Sequence, residues 1–140
     1  MIEDAGTATA AATTHGDDLV ELRLPADGAY LSVLRTATAG LAARLDFTLD
    51  EIEDLRIAVD EACALLLPDA VAGSDMTCVF TLTVETLAVS VSVPSQTSRV
   101  PRRNTFAWTV LTALAGEVDA TVGTDGTVSV TLLKHRGGRA

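Results

Sequence analysis

The chain has 140 residues, 48% of them apolar and 21% charged, and its 19 acids against 10 Lys and Arg leave a formal net charge of −9. That is enough chain for one domain with its own core and no disulfide or metal to hold it, and the acidity argues against direct binding of nucleic acid, which needs clustered bases. No apolar run approaches the roughly 18 residues of a membrane span, and Met1-Ile2-Glu3-Asp4 opens with acids where a signal peptide carries Lys or Arg, so the expectation is a cytoplasmic protein without a membrane segment.

Residues 1–17, rich in Thr, Ala and Gly, have no apolar periodicity and are expected to form a flexible tail. The domain is expected over residues 18–134. At Leu19-Val20-Glu21-Leu22-Arg23-Leu24 apolar and charged residues alternate, as in a strand with one buried face, and Pro25 ends it. Leu31, Leu34, Thr38, Leu41 and Leu45 then recur at spacings of three and four, which predicts a helix from about Tyr30 to Leu45.

Thr48-Leu49-Asp50-Glu51 reads as a capping box, flanked by Phe47 and Ile52 as a hydrophobic staple. The helix it opens carries Ile52, Leu55, Val59, Ala62, Cys63 and Leu66 on one face and stops at Pro68. Ile57, Ala58, Glu61 and Leu65 form a second, largely apolar face, so the helix should be covered on both sides.

Beyond it the period falls to two. Cys78, Phe80, Leu82 and Val84, then Leu87, Val89, Val91 and Val93, alternate with small or polar residues and predict a hairpin linked at Glu85-Thr86. Residues 94–105 form a polar loop holding Arg99, Arg102 and Arg103, long enough to be functional or mobile. Phe106 to Ala115 fits a short helix ended by Gly116, and a turn at Gly123–Gly126 separates a strand at Ala120 from another at Thr127 to Leu133. Residues 135–140 are read as a second flexible tail. The order β-α-α-β-β-α-β-β predicts an α+β fold, a two-layer sandwich with its helices on one face of a mostly antiparallel sheet.

Charge is uneven along the chain. Residues 1–70 hold 14 acids and 4 bases, and seven of those acids lie between Asp46 and Glu61 with Arg56 as the one base. Such a face either steers a basic partner or is simply solvated. Cys63 and Cys78 lack metal-ligand spacing and are read as buried free thiols. His15 and His135 fall in the expected tails, and there is no nucleophile elbow, phosphate loop or metal-ligand cluster.

The stretch Leu45-Asp46-Phe47-Thr48-Leu49-Asp50-Glu51-Ile52, followed by Leu55-Arg56-Ile57-Ala58-Val59-Asp60-Glu61-Ala62, resembles the central helix of RsbW-type anti-sigma factors, members of the GHKL (Bergerat-fold) ATPase superfamily. The resemblance runs from about Val20 to Leu133, and Phe106-Ala107-Trp108-Thr109-Val110-Leu111 is similar to the actinobacterial branch. It implies a GHKL-like sandwich and an anti-sigma factor, usually a homodimer, that sequesters an RNA polymerase sigma factor. Release then comes by partner switching with a STAS-domain anti-anti-sigma factor. The alternative it implies is an active ATP-dependent serine kinase that phosphorylates this antagonist, with ATP and Mg²⁺ as cofactors.

In that pattern Glu61 matches the general base, while Leu65 replaces the asparagine that holds Mg²⁺ and offers no oxygen to a hard cation. Val93-Pro94-Ser95-Gln96 stands where the family's adenine-binding Asp-x-Gly-x-Gly belongs. Thr105-Phe106-Ala107-Trp108 aligns with the Gly-x-Gly-Leu loop, so Thr105 and Ala107 replace both phosphate-approaching glycines. These losses favour binding over turnover. Glu61 would then be satisfied by a backbone group or by Arg56, and Phe106 and Trp108 would fill the former pocket as core. The family's partner-contacting arginine falls at Arg35, and Leu31, one turn earlier, extends the same patch.

Overall fold

The computed structural model describes residues 17–137, and the expected first tail lies outside them except for Asp17. Five strands form one antiparallel sheet: β1 (Asp18–Pro25), β2 (Asp75–Leu82), β3 (Thr86–Pro94), β4 (Glu117–Val122) and β5 (Thr127–His135), in the spatial order β1-β2-β3-β5-β4. Three helices, α1 (Leu31–Arg44), α2 (Leu49–Leu66) and α3 (Phe106–Ala115), cover one face of it. The element order and the two-layer α+β architecture are those read from the sequence.

Alternation sets the layers. Met76, Cys78, Phe80 and Leu82 of β2, Leu87, Val89, Val91 and Val93 of β3, and Val128, Val130 and Leu132 of β5 are buried, and they form one core with Leu34 of α1, Leu55, Val59 and Leu66 of α2 and Leu111 of α3. Successive side chains of a strand face opposite ways, so Ser90, Ser92, Ser129 and Thr131 lie on the other face. There Ser92 and Ser129 hydroxyls meet at 2.6 Å and Thr131 Oγ1 lies 3.2 Å from Ser90 Oγ.

Each helix boundary has a local cause. The 3-10 turn Gly28–Tyr30 before α1 is opened by Asp27, whose carboxylate accepts from the Ala29 amide at 2.9 Å. At the other end of α1 the Phe47 amide donates to Ala42 O and the Asp46 amide to Ala43 O, a Schellman closure that puts Asp46 at φ 63°. The capping box of α2 is present in full, and α3 is capped by Thr105 and ended by Gly116 at φ 98°.

Two expectations are corrected here. Val84 does not continue the buried face of β2: it is 79% exposed in the hairpin turn. The ladder ends at the Leu82–Leu87 pair because Thr83 and Thr86 close the turn, with Thr83 N donating to Thr86 O at 3.0 Å and Thr86 N to the Thr83 hydroxyl at 2.9 Å. His135 is not in a frayed tail. It is the last residue of β5, opposite Thr86, and the next two residues are tied down as well. Arg136 N donates to Glu85 O, its guanidinium Nη1 reaches Leu45 O at 3.3 Å, and the Gly137 amide donates to the Glu51 carboxylate.

Candidate functional site

α2 is the central helix, packed against α1 on one flank, α3 on the other and the sheet beneath. Its sheet-facing side buries Leu55, Val59, Ala62, Cys63 and Leu66. On the second face Ala58 is fully buried and Glu61 and Leu65 are half-buried, Leu65 against the core, while Ile57 is 41% exposed.

Glu61 lies on that face, and among the described residues its carboxylate has no hydrogen-bond or ion-pair partner. Arg56 does not hold it, because the Arg56 guanidinium bonds Glu53 instead at 3.1 Å, three residues back on the same helix. The preceding residue, Asp60, turns toward α1 and accepts from Arg35 Nε at 3.0 Å. This contact joins α1 to α2 across 25 residues, a separation that no local sequence pattern marks. Leu31, one turn before Arg35, is half-buried and packs against the core.

The acidic stretch is largely engaged. Glu51 caps α2, Glu53 pairs with Arg56, Asp60 pairs with Arg35, and Asp54 lies 3.7 Å from Lys134 Nζ, which also donates to Leu114 O at 2.7 Å. Partial burial pushes the Glu51 carboxyl up, but the Thr48 and Gly137 amides with the Thr48 hydroxyl outweigh it and hold the group below its ordinary value.

The loop after β3 is pinned at both ends. Gln96 N donates to Asp69 O at 2.7 Å, its side-chain amide reaches Ala70 O at 3.3 Å, and Ser95 bridges Ala70. Arg103 bonds Asp119 at 2.8 Å and its guanidinium carbon lies 4.8 Å from the Trp108 ring centroid, a cation–π stack. The bond from Arg103 holds the Asp119 carboxyl below the usual range. Trp108 is 8% exposed and joins the core as expected, whereas Phe106, 84% exposed, does not. At the first position of α3 its side chain precedes the face that turns to the sheet, which begins with Trp108 and Leu111.

These contacts test the fit of a nucleotide and Mg²⁺. The Leu65 side chain supplies no oxygen and packs against the core. The helix terminus that would meet phosphate is capped from within, Thr105 Oγ1 accepting from Trp108 N at 3.2 Å, and Ala107 is half-buried beside it. Among the described residues no group of three His, Cys, Asp or Glu side chains is placed to hold a metal ion, and none of the helices is long and apolar enough to cross a membrane. The residues present do not fit the family's nucleotide site.

A central capped helix flanked by two others over a five-stranded antiparallel sheet is consistent with a GHKL-like fold. Within that class the chain is a relative of the RsbW proteins. It is 34% identical over 99 residues to anti-sigma-F factor RsbW of Mycobacterium tuberculosis (strain ATCC 25618 / H37Rv), covering 71% of this chain and 59% of that protein. It is 48% identical over 46 residues to serine-protein kinase RsbW of Bacillus subtilis (strain 168), covering 33% of this chain and 29% of that one. A match of 41% identity over 58 residues to the Bacillus pumilus (strain SAFR-032) protein of the same name covers 41% and 36%. The chain thus spans less than two thirds of the length of these relatives. Its fold matches the structure of the RsbU and RsbW domains of a Mycobacterium tuberculosis protein, with a TM-score of 0.66 at 17% identity over 87% of this chain and 34% of that one. No protein-family profile matches.

Proposed function

We propose that the chain is an anti-sigma factor: it binds and sequesters an RNA polymerase sigma factor and is released by partner switching with a STAS-domain anti-anti-sigma factor. The observation that supports this most is the match over 99 of 140 residues to a protein named for that role. A stretch of that length in this chain necessarily includes α2 and the β2–β3 hairpin. Arg35 stands on the partner side as a half-exposed guanidinium whose two terminal nitrogens have no acceptor among the described residues. A planar fork of that kind suits a carboxylate on an incoming protein. One arginine serving both partners makes their binding mutually exclusive. The site of action is the cytoplasm, where RNA polymerase works, and the working unit is a homodimer, as the resemblance implies.

Titration of a purified sigma-F-type factor, with and without a STAS-domain competitor, tests this reading. Arg35→Ala should weaken sigma binding by about 1–3 kcal/mol, as for a charge-assisted contact at an interface. A change within error removes Arg35 from the proposal, and absence of sigma binding removes the function. Sedimentation of the chain alone checks the dimer.

The second reading, a serine kinase acting on the STAS protein, is favoured by one feature, the half-buried Glu61 carboxylate of α2, which has no partner among the described residues. Under it Glu61→Gln abolishes phosphotransfer while sigma binding persists. Leu65 and the internally capped α3 weigh against it.

A further inference from the structure

We infer that Asp60 is a positioning residue of the partner surface, holding the Arg35 guanidinium by Nε so that its two terminal nitrogens face outward as a prepared fork for a carboxylate. The inference rests on the anti-sigma reading and adds to it a residue, a geometry and the chemistry of the group that is bound.

Three observations carry it. Asp60 Oδ1 accepts from Nε, the inner nitrogen of the guanidinium, at 3.0 Å, and among the described residues no other group accepts from Arg35. A guanidinium bonded at Nε leaves its outer pair, coplanar by delocalisation, available to take a carboxylate in bidentate fashion. Second, α1 itself offers no acid for this work. Residues 28–45 contain no acid, and the adjacent Asp27 is occupied by the Ala29 amide. Third, the pair is half-exposed, with side-chain exposures of 37% and 39%. An ion pair in that setting adds little to fold stability, so its consequence lies in where it puts the arginine. Fixing a long side chain before encounter removes ordering that binding would otherwise have to supply.

The neighbouring Glu61 marks the division of labour on α2. One residue further round the helix, it has no partner among the described residues, while Asp60 faces α1. The partner's carboxylate meets a cation already oriented and only partly neutralised.

The test uses the full chain as wild type, Arg35→Ala, Asp60→Asn, Asp60→Glu and the Arg35→Ala/Asp60→Asn double variant. A purified sigma-F-type factor is the probe, read by binding kinetics. Asp60→Asn should loosen binding about threefold, mainly through faster dissociation. The same change should have no effect once Arg35 is absent, and Asp60→Glu should recover part of the loss. Equal or tighter binding by Asp60→Asn, or the same loss with and without Arg35, overturns the inference. A second readout is independent of any partner: the Arg35 Nε–H resonance in ¹⁵N-labelled protein should exchange faster with solvent in Asp60→Asn. An unchanged Nε–H overturns the inference whatever the binding data show. If wild type binds no sigma factor while the Nε–H responds to Asp60, the anti-sigma reading falls, and the inference built on it falls with it.

Discussion

Thr48 and Glu51 close the first turn of α2 on each other, the Thr48 hydroxyl accepting from the Glu51 amide at 3.1 Å and the Glu51 carboxylate from the Thr48 amide at 2.7 Å. The same carboxylate also receives the Gly137 amide, so the helix start and the chain beyond β5 share one anchor. Thr48→Ala should cost about 1 kcal/mol of stability by denaturant titration, with the slope unchanged.

The pH dependence of that anchor follows from its sign. The folded Glu51 carboxyl lies below its ordinary value of 4.5, so its contribution is present above that pH and is lost as pH falls through the lower folded value. Unfolding curves between neutral and acid pH should therefore show a shallower acid loss in Glu51→Gln than in wild type. An identical acid limb in the two proteins would show that the carboxylate contributes nothing to it.

Much of this architecture was legible because its causes are local. The capping box, Pro68, the period-two runs of β2 and β3 and Gly116 each act within a few residues, and α2, the hairpin and α3 lie where they point. The misses share a different origin. The alternation that runs on through Val84 is broken by the Thr83–Thr86 hydroxyl contact at 2.6 Å, a property of the turn and not of the strand. His135 reads as terminal, yet strand β5 carries it into register with Thr86. Phe106 and Trp108 look alike on the page, but the rotation of α3 buries one and exposes the other. In the candidate site the resemblance points to Glu61 and Arg35, whereas Asp60 stands out only where α1 and α2 lie side by side.

Two glycines make opposite predictions. Gly40 sits in the exposed interior of α1, and a Cβ there meets nothing within 4 Å. Gly40→Ala should raise stability by about 0.5–1 kcal/mol, through the helix propensity of alanine and a less entropic unfolded chain. Gly116 ends α3 at φ 98°, a conformation costly for any L side chain. Gly116→Ala should lower stability by about 1–2 kcal/mol. Thermal unfolding of both variants beside wild type decides the pair, and the same sign of shift for both would contradict the argument.

Cys63 and Cys78 lie on facing elements in the core, with Cys63 Sγ 3.9 Å from Met76 Sδ. Burial pushes the Cys63 thiol up to about 12, with the nearby Cys78 and Asp60 adding to it, and pushes Cys78 up to about 11, from an ordinary 9.0. A raised folded value means that the stability each thiol contributes is complete below its unfolded value and is lost as pH climbs toward the folded one. Stability should fall above about pH 9, by up to ~1.4 kcal/mol per pH unit for each thiol. Cys63→Ala should flatten that alkaline limb, after allowance for its cavity. At neutral pH both thiols should resist a thiol-specific reagent in the native protein and react when it unfolds.

The nucleotide question turns on three positions at once. Leu65 withholds the oxygen a hard cation needs, Pro94-Ser95-Gln96 offers no acid, and the amide of Trp108 at the start of α3 is already taken by Thr105. A ligand held at 100 times its Kd stabilises the native state by about 2.7 kcal/mol, which in a chain of this length raises Tm by roughly 10 °C. Millimolar Mg·ATP should leave the Tm of this protein unmoved. Leu65→Asn alone should leave it unmoved as well, because one restored ligand does not reopen a capped helix terminus or supply the missing acid. A clear upward shift in wild type would mean that phosphate and adenine are held by groups outside the family pattern. It would move the kinase reading, with Glu61 as its base, ahead of sequestration alone.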